Sequence, residues 1–168
     1  MSDTELKTRI ESVRARLDAE PGRGVRIVRA ESRQRSGFES EAKAGECRVV
    51  LDQPSALGGT ERGPRPGEVV LMALASCQEH TYRVHAALLG IPLEDIRVEL
   101  EGLVDGRGFL GEESVAPGFS EVRGTVTIRS DASEAELDRL QEAVDRHCPV
   151  LDDLRRPVPV TLRLRNRT

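Results

Sequence analysis

The stretch GEVVLMALASCQEHTYRVHAALLG, residues 67–90, decides how the rest of the chain is read. From Val69 to Ala75 every residue is apolar; beyond that the pattern turns amphipathic at helical spacing, and Gly90 and Pro92 stand where helices stop. Such a segment predicts a buried central helix. Its polarity changes abruptly at Cys77, where Gln78, Glu79 and His80 arrive together, as if a buried helix had reached a polar pocket. His80 lies three residues on and Thr81 four, so both share the Cys77 face; a cationic His80 there would favour the thiolate, the reactive form of cysteine. His85, five residues past His80, falls off that face and reads as a helix-surface residue. The plainer reading of Cys77 is a small buried hydrophobe, as free cysteine often is.

Working outward, PSALGGTERGPRPG (54–67) is too rich in glycine and proline for regular structure and predicts a long surface loop. Downstream, DIRVELEGLVD (95–105) and EVRGTVTIRSD (121–131) alternate as strands around a polar loop, GRGFLGEESVAPGFS (106–120). Ser133-x-x-Glu136 opens a last long helix that ends near His147-Cys148-Pro149, and PVPVTLRLR (157–165) supplies a final strand. Upstream, VRIVRAE (25–31), GFESEAKA (37–44) and CRVVLD (47–52) predict an antiparallel meander. Before it, the capping-box spacing Ser2-Asp-Thr-Glu5 opens a helix over about 3–19 that Pro21-Gly22 ends. Helix, strands, helix, strands, helix, strand is an α+β order.

At 168 residues one domain is expected. No apolar run reaches the roughly 20 residues of a membrane span, and the charged amino terminus does not resemble a secretory signal; a cytoplasmic location is expected. The net charge is −4 and the aromatic residues are only Phe38, Tyr82, Phe109 and Phe119. That argues against a basic, ring-stacking nucleic-acid surface.

Three cysteines in a reducing compartment do not make a disulfide framework. Cys47 alternates with Val49 and Leu51 and reads as a core strand residue. Cys148 precedes Pro149, which takes the chain out of the helix and places the thiol at an exposed or interfacial end. Cys77, His80, His147 and Cys148 have the residue types of a four-ligand zinc site, but the paired spacings that mark one are absent. No metal and no cofactor is expected. No phosphate loop, dinucleotide fingerprint or nucleophile elbow is present either.

With these features together, LDQPSALGGTERGPRPGEVVLMALASCQEHTYRVHAALLGIPLEDIRVELEGLVDGRGFLG and HCPVLDDLRRPVPVTLRL resemble the OsmC/Ohr family, that of osmotically inducible protein C and organic hydroperoxide resistance protein. The resemblance covers about residues 25–165. Its specific parts are the glycine-rich loop into Pro-Gly-Glu, the alanine-rich helix with a central cysteine, the Gly-Ile-Pro-Leu-Glu-Asp link and a second Cys-Pro after a helix. It implies an OsmC-like fold of antiparallel sheets around a buried central helix, spanning residues 23–168 behind an amino-terminal helical extension, 1–22. It further implies an intertwined homodimer with active sites at the subunit interface.

The activity implied is a thiol-dependent peroxidase for organic hydroperoxides, with Cys77 matching the peroxidatic cysteine and Cys148 the resolving one. Regeneration by a lipoyl-type dithiol is implied as well. Two positions depart from the pattern. The peroxidases carry a glutamate ten residues before the cysteine, whereas Glu68 precedes Cys77 by nine. At about 100° per residue that is half a turn away. A helical irregularity or the second subunit would have to bring Glu68 in; otherwise it is simply an acidic residue in the first helical turn. Arg33 or Arg35 matches the family's arginine, with Arg35 preferred. The competing reading is a non-catalytic protein of this fold that binds an apolar small molecule near Cys77.

Overall fold

The computed structural model describes residues 2–166. Helix α1 (Asp3–Ala19) starts at the expected capping box: the Ser2 hydroxyl accepts from the Glu5 amide at 3.2 Å and the Glu5 carboxylate accepts from the Ser2 amide at 2.8 Å. A 3₁₀ turn at Pro21–Gly24 follows. The meander forms as β1 (Glu31–Ser36), β2 (Glu39–Ala44) and β3 (Cys47–Leu51), antiparallel throughout in the order β1-β2-β3.

Helix α2 (Pro66–Leu89) is the expected central helix, closed at Gly90, whose φ of 71° is the left-handed geometry of a helix stop. Leu74, Tyr82, Ala86 and Ala87 are buried along one face. The apolar first turns are less covered than expected: Val70 is 37% and Met72 57% exposed, because none of the described elements covers them. Strands β4 (Asp95–Val104) and β5 (Phe119–Arg129) form an antiparallel hairpin. Alternation works as expected, since Ile96, Leu100, Val122, Val126 and Ile128 pack on the core while their neighbours face outward. Gly102 has a packing reason: a Cβ there would stand 2.5 Å from Cε1 of Phe119, and the same ring lies 3.4 Å from where a Cβ would project at Gly67. The Phe119 side chain therefore sits between the hairpin and the start of α2.

Helix α4 (Glu134–His147) starts at the Ser133/Glu136 capping box and lays Leu140 and Val144, both fully buried, against α2. The core is thus α2 held between α4, a short helix α5 (Pro149–Arg155), the β4–β5 hairpin and α1. No helix among the described residues is long and apolar enough to cross a membrane.

Several expectations need correction. Of VRIVRAE only Glu31 enters a strand; residues 25–30 are unpaired, with Val25, Ile27 and Val28 at 83%, 76% and 87% exposure. PVPVTLRLR forms no strand either, and Val160, Leu162 and Leu164 are 77%, 91% and 100% exposed. The reason is common to both: a strand needs a neighbour for its backbone groups, and none of the described residues pairs with these segments. Cys47 is exposed rather than core, because the β1–β3 sheet contributes nothing to the buried cluster and no layer covers it. The loop between β4 and β5 contains a short helix, α3 (Gly106–Phe109), held by the Asp105 carboxylate accepting from the Arg107 amide at 3.0 Å.

Candidate functional site

Pro149 does end α4, but it also occupies the first turn of a new helix, α5 (Pro149–Arg155), where its missing N–H is no loss. Cys148 is the single residue between the two helices. Its amide donates to the Val144 carbonyl at 2.9 Å, and its carbonyl accepts from the Asp152 amide at 3.0 Å. Since α5 packs back on α2, this joint is turned inward, and Cys148 is 1% exposed rather than at an exposed end.

Opposite it on α2 stands Cys77, half-buried and packed against the core cluster that contains Cys148. Both thiols are free. The Thr81 hydroxyl, one turn on, donates to the Cys77 carbonyl at 2.7 Å. Burial pushes the Cys148 thiol above its ordinary value, and the hydrogen bond and charge of the neighbouring Cys77 push it further in the same direction. The Leu151 amide and the Thr81 hydroxyl oppose that rise. The two thiols are therefore close enough to interact, and Cys148 holds its proton more firmly than an ordinary thiol.

The other expected participants lie elsewhere in the single chain. Glu68 sits in the first turn of α2, where its carboxylate accepts from the Arg65 amide at 2.8 Å and from Arg65 Nε at 3.0 Å. These bonds hold its carboxyl below the usual range. Arg35 donates from Nη2 to Glu41 Oε1 at 2.8 Å on the exposed β1–β3 sheet, with Arg48 on the same oxygen at 3.0 Å. Neither side chain joins the cysteine pair. His80 is exposed. Among the described residues no three His, Cys, Asp or Glu side chains gather as metal ligands.

Two features escape the sequence reading. His85 is not a free surface residue: it is half-buried, and its ring stacks on that of His147 with centroids 5.0 Å apart and planes 14° from parallel. The spacing Cys77, Thr81, His85 marks one helical stripe and would have placed it beside the pair. Burial, and then the proximity of His147, hold the His85 imidazole below the ordinary histidine value. The second feature is Asp52, 2% exposed at the end of β3. Its carboxylate accepts from the amides of Gln53 at 2.8 Å, Thr60 at 2.9 Å and Arg62 at 3.3 Å, and from the Thr60 hydroxyl at 2.6 Å. These bonds lower its pKa to about 2 and shape the loop that delivers the chain to α2.

The sequence pattern of OsmC-like protein matches residues 58–163. A comparison with curated protein sequences gives no match. Among solved structures, an OsmC-like protein from Mycoplasma pneumoniae superposes with a TM-score of 0.68 at 20% identity, over 77% of this chain and 88% of that one. An organic hydroperoxide resistance protein OsmC from Legionella pneumophila gives 0.61 at 21% identity, over 78% and 90%. An organic hydroperoxide resistance protein from Elizabethkingia anophelis gives 0.61 at 18%, over 78% and 89%. At such identities the likeness to these three is one of fold. The family pattern spans α2 and the α4–α5 joint, and so both cysteines of the pair: the chain belongs to the OsmC-like protein family.

Proposed function

We propose that this protein is a thiol peroxidase for organic hydroperoxides in which Cys77 attacks and Cys148 resolves. The observation that carries the reading is the convergence of two free thiols, distant in sequence, at the α2 and α4–α5 contact. Their environments divide the labour. Cys77 is within reach of solvent, whereas Cys148 is buried and its proton is held. In the first step the Cys77 thiolate attacks the outer peroxide oxygen and the O–O bond breaks. The alkoxide takes a proton and leaves as alcohol, with Cys77 as the sulfenic acid. The Cys148 sulfur then attacks the Cys77 sulfur, an S–S bond forms, and the hydroxyl leaves as water with the Cys148 proton. An external dithiol, of lipoyl type in this proposal, returns both thiols by two exchanges and is itself oxidised to its disulfide.

The proposal includes a homodimer. Its support is the unpaired alternating segments 25–30 and 157–165, together with the uncovered Val70 and Met72 on α2. Arg35 and Glu68 enter only through that assembly, as supports for the thiolate and for the departing hydroxyl contributed across the interface. A cytoplasmic setting belongs to the proposal too, since free thiols need a reducing compartment.

The test is a single-turnover titration with cumene hydroperoxide, followed by dimedone trapping and mass spectrometry. Cys77→Ser is expected to consume no peroxide. Cys148→Ser is expected to consume one equivalent and leave a trappable sulfenic acid on Cys77. Consumption of a full equivalent by Cys77→Ser would overturn the reading.

A further inference from the structure

The stacked imidazoles beside the cysteine pair have no part in the chemistry above, yet their position is specific. His147 immediately precedes Cys148, the one residue between α4 and α5, and its ring lies flat on His85 of α2. The stack thus fastens the joint that carries Cys148 to the helix that carries Cys77. We propose that the His85–His147 stack is a proton-operated clasp on the α4–α5 joint, closed over Cys148 when both rings are neutral and opened when they take up protons.

The physical basis is charge. Two neutral imidazoles stack favourably, but two imidazolium rings with centroids 5.0 Å apart repel, most effectively on the half-buried His85 side, since His147 is exposed to solvent. No carboxylate is among the groups that act on His85. One turn from His85 on α2 stand Thr81, Tyr82, Leu88 and Leu89, and one turn from His147 stand Ala143, Val144, Val150 and Leu151. None is a carboxylate. Several charged groups on the packed elements have partners of their own: Asp3 of α1 faces Arg83 and Glu142 of α4 holds Arg146, while the Asp145 carboxylate acts on Tyr82. On α5, Asp152 is held by Arg156, and on the strand side Glu94 is held by Arg129 and Glu99 by Arg97. The charge that acts on His85 is that of His147, and it disfavours protonation. Neutral pH therefore keeps the clasp shut, and acidification through the histidine range opens it.

The consequence for turnover rests on the role proposed above for Cys148. A closed joint keeps that sulfur against Cys77 and favours internal disulfide formation; an open joint exposes it to the external dithiol.

The test reads thiol access, not catalysis. Reduced protein is labelled with 4,4′-dithiodipyridine, and peptide mass spectrometry follows Cys148 against the exposed Cys47 of the same molecule. Their rate ratio cancels the probe's own pH dependence and the shared loss of thiolate in acid. In the parent protein the ratio is expected to rise roughly tenfold between about pH 7.5 and about pH 5.5. His147→Phe keeps a flat ring without charge, so its ratio is expected to stay low at both values; His85→Ala removes the stack, so its ratio is expected to be high at both. A flat ratio in the parent, or the parent's rise in a folded His147→Phe, would overturn the clasp. Should a variant fail to fold, the parent titration alone still decides. Peroxide consumption is followed in parallel. A pH-dependent ratio without peroxide turnover overturns the peroxidase reading and leaves the clasp, whereas turnover with a flat ratio overturns the clasp alone.

Discussion

Asp52 shows how much one side chain can organise. Four hydrogen bonds converge on its carboxylate, three of them from loop amides that no strand or helix would satisfy. Its folded pKa of about 2 lies below the ordinary 3.8, so the ionised form is the one that folding favours. The stabilisation is complete above the ordinary value and is lost as pH falls through about 2. Asp52→Asn is therefore expected to lower the melting temperature by several degrees near neutral pH, with the difference from the parent shrinking as pH approaches 2; calorimetry across that range checks it. The sequence does not announce this role, because the partners are backbone groups of a loop whose path appears only in three dimensions. The burial of Cys148 within one chain escapes the sequence for a related reason. A proline after a helix reads as an exit, and only the return of α5 to α2 makes the joint an interior position.

At the scale of elements the helices were legible almost to the residue, because their ends are written in local chemistry. Ser2 with Glu5, Ser133 with Glu136, and Gly90 each satisfy backbone groups next to them in sequence. Strands are another matter. The hairpin β4–β5 was legible because both partners lie in this chain and one face is buried; residues 25–30 and 157–165 carry the same alternation with no partner. Helix α4 offers the cleanest test of what the core is worth. Leu140 is fully enclosed, so Leu140→Ala is expected to cost about 2–5 kcal/mol through lost burial and the cavity left behind. Ser133→Ala, which removes only the cap, is expected to cost about 1 kcal/mol. Urea titration of both variants orders them, and a reversed order would mean that α4 is held by its end rather than by its face.

At the scale of the whole molecule, the apolar side chains left in solvent at Val25, Ile27, Val28, Val160, Leu162 and Leu164 predict a dimer that depends on these two segments. Light scattering is expected to give about twice the chain mass at micromolar concentration, and removal of residues 157–168 is expected to yield monomer or aggregate. A full-length monomer, or an intact dimer after truncation, would overturn this assembly. The candidate site was half legible at this scale: the two cysteines could be named from the sequence, while Arg35 and Glu68 stay with local partners and have no defined place at the thiols within one chain. The Phe119 ring described above carries a further, mechanical consequence. It rests on Gly102 because that residue has no side chain, and it lies 3.4 Å from where a Cβ would stand at Gly67, at the foot of α2. Hairpin and helix are keyed together by one ring and cannot shear past each other without unseating it, so a push on the exposed hairpin tip at Phe109 and Leu110 is delivered as a load on the helix that carries Cys77.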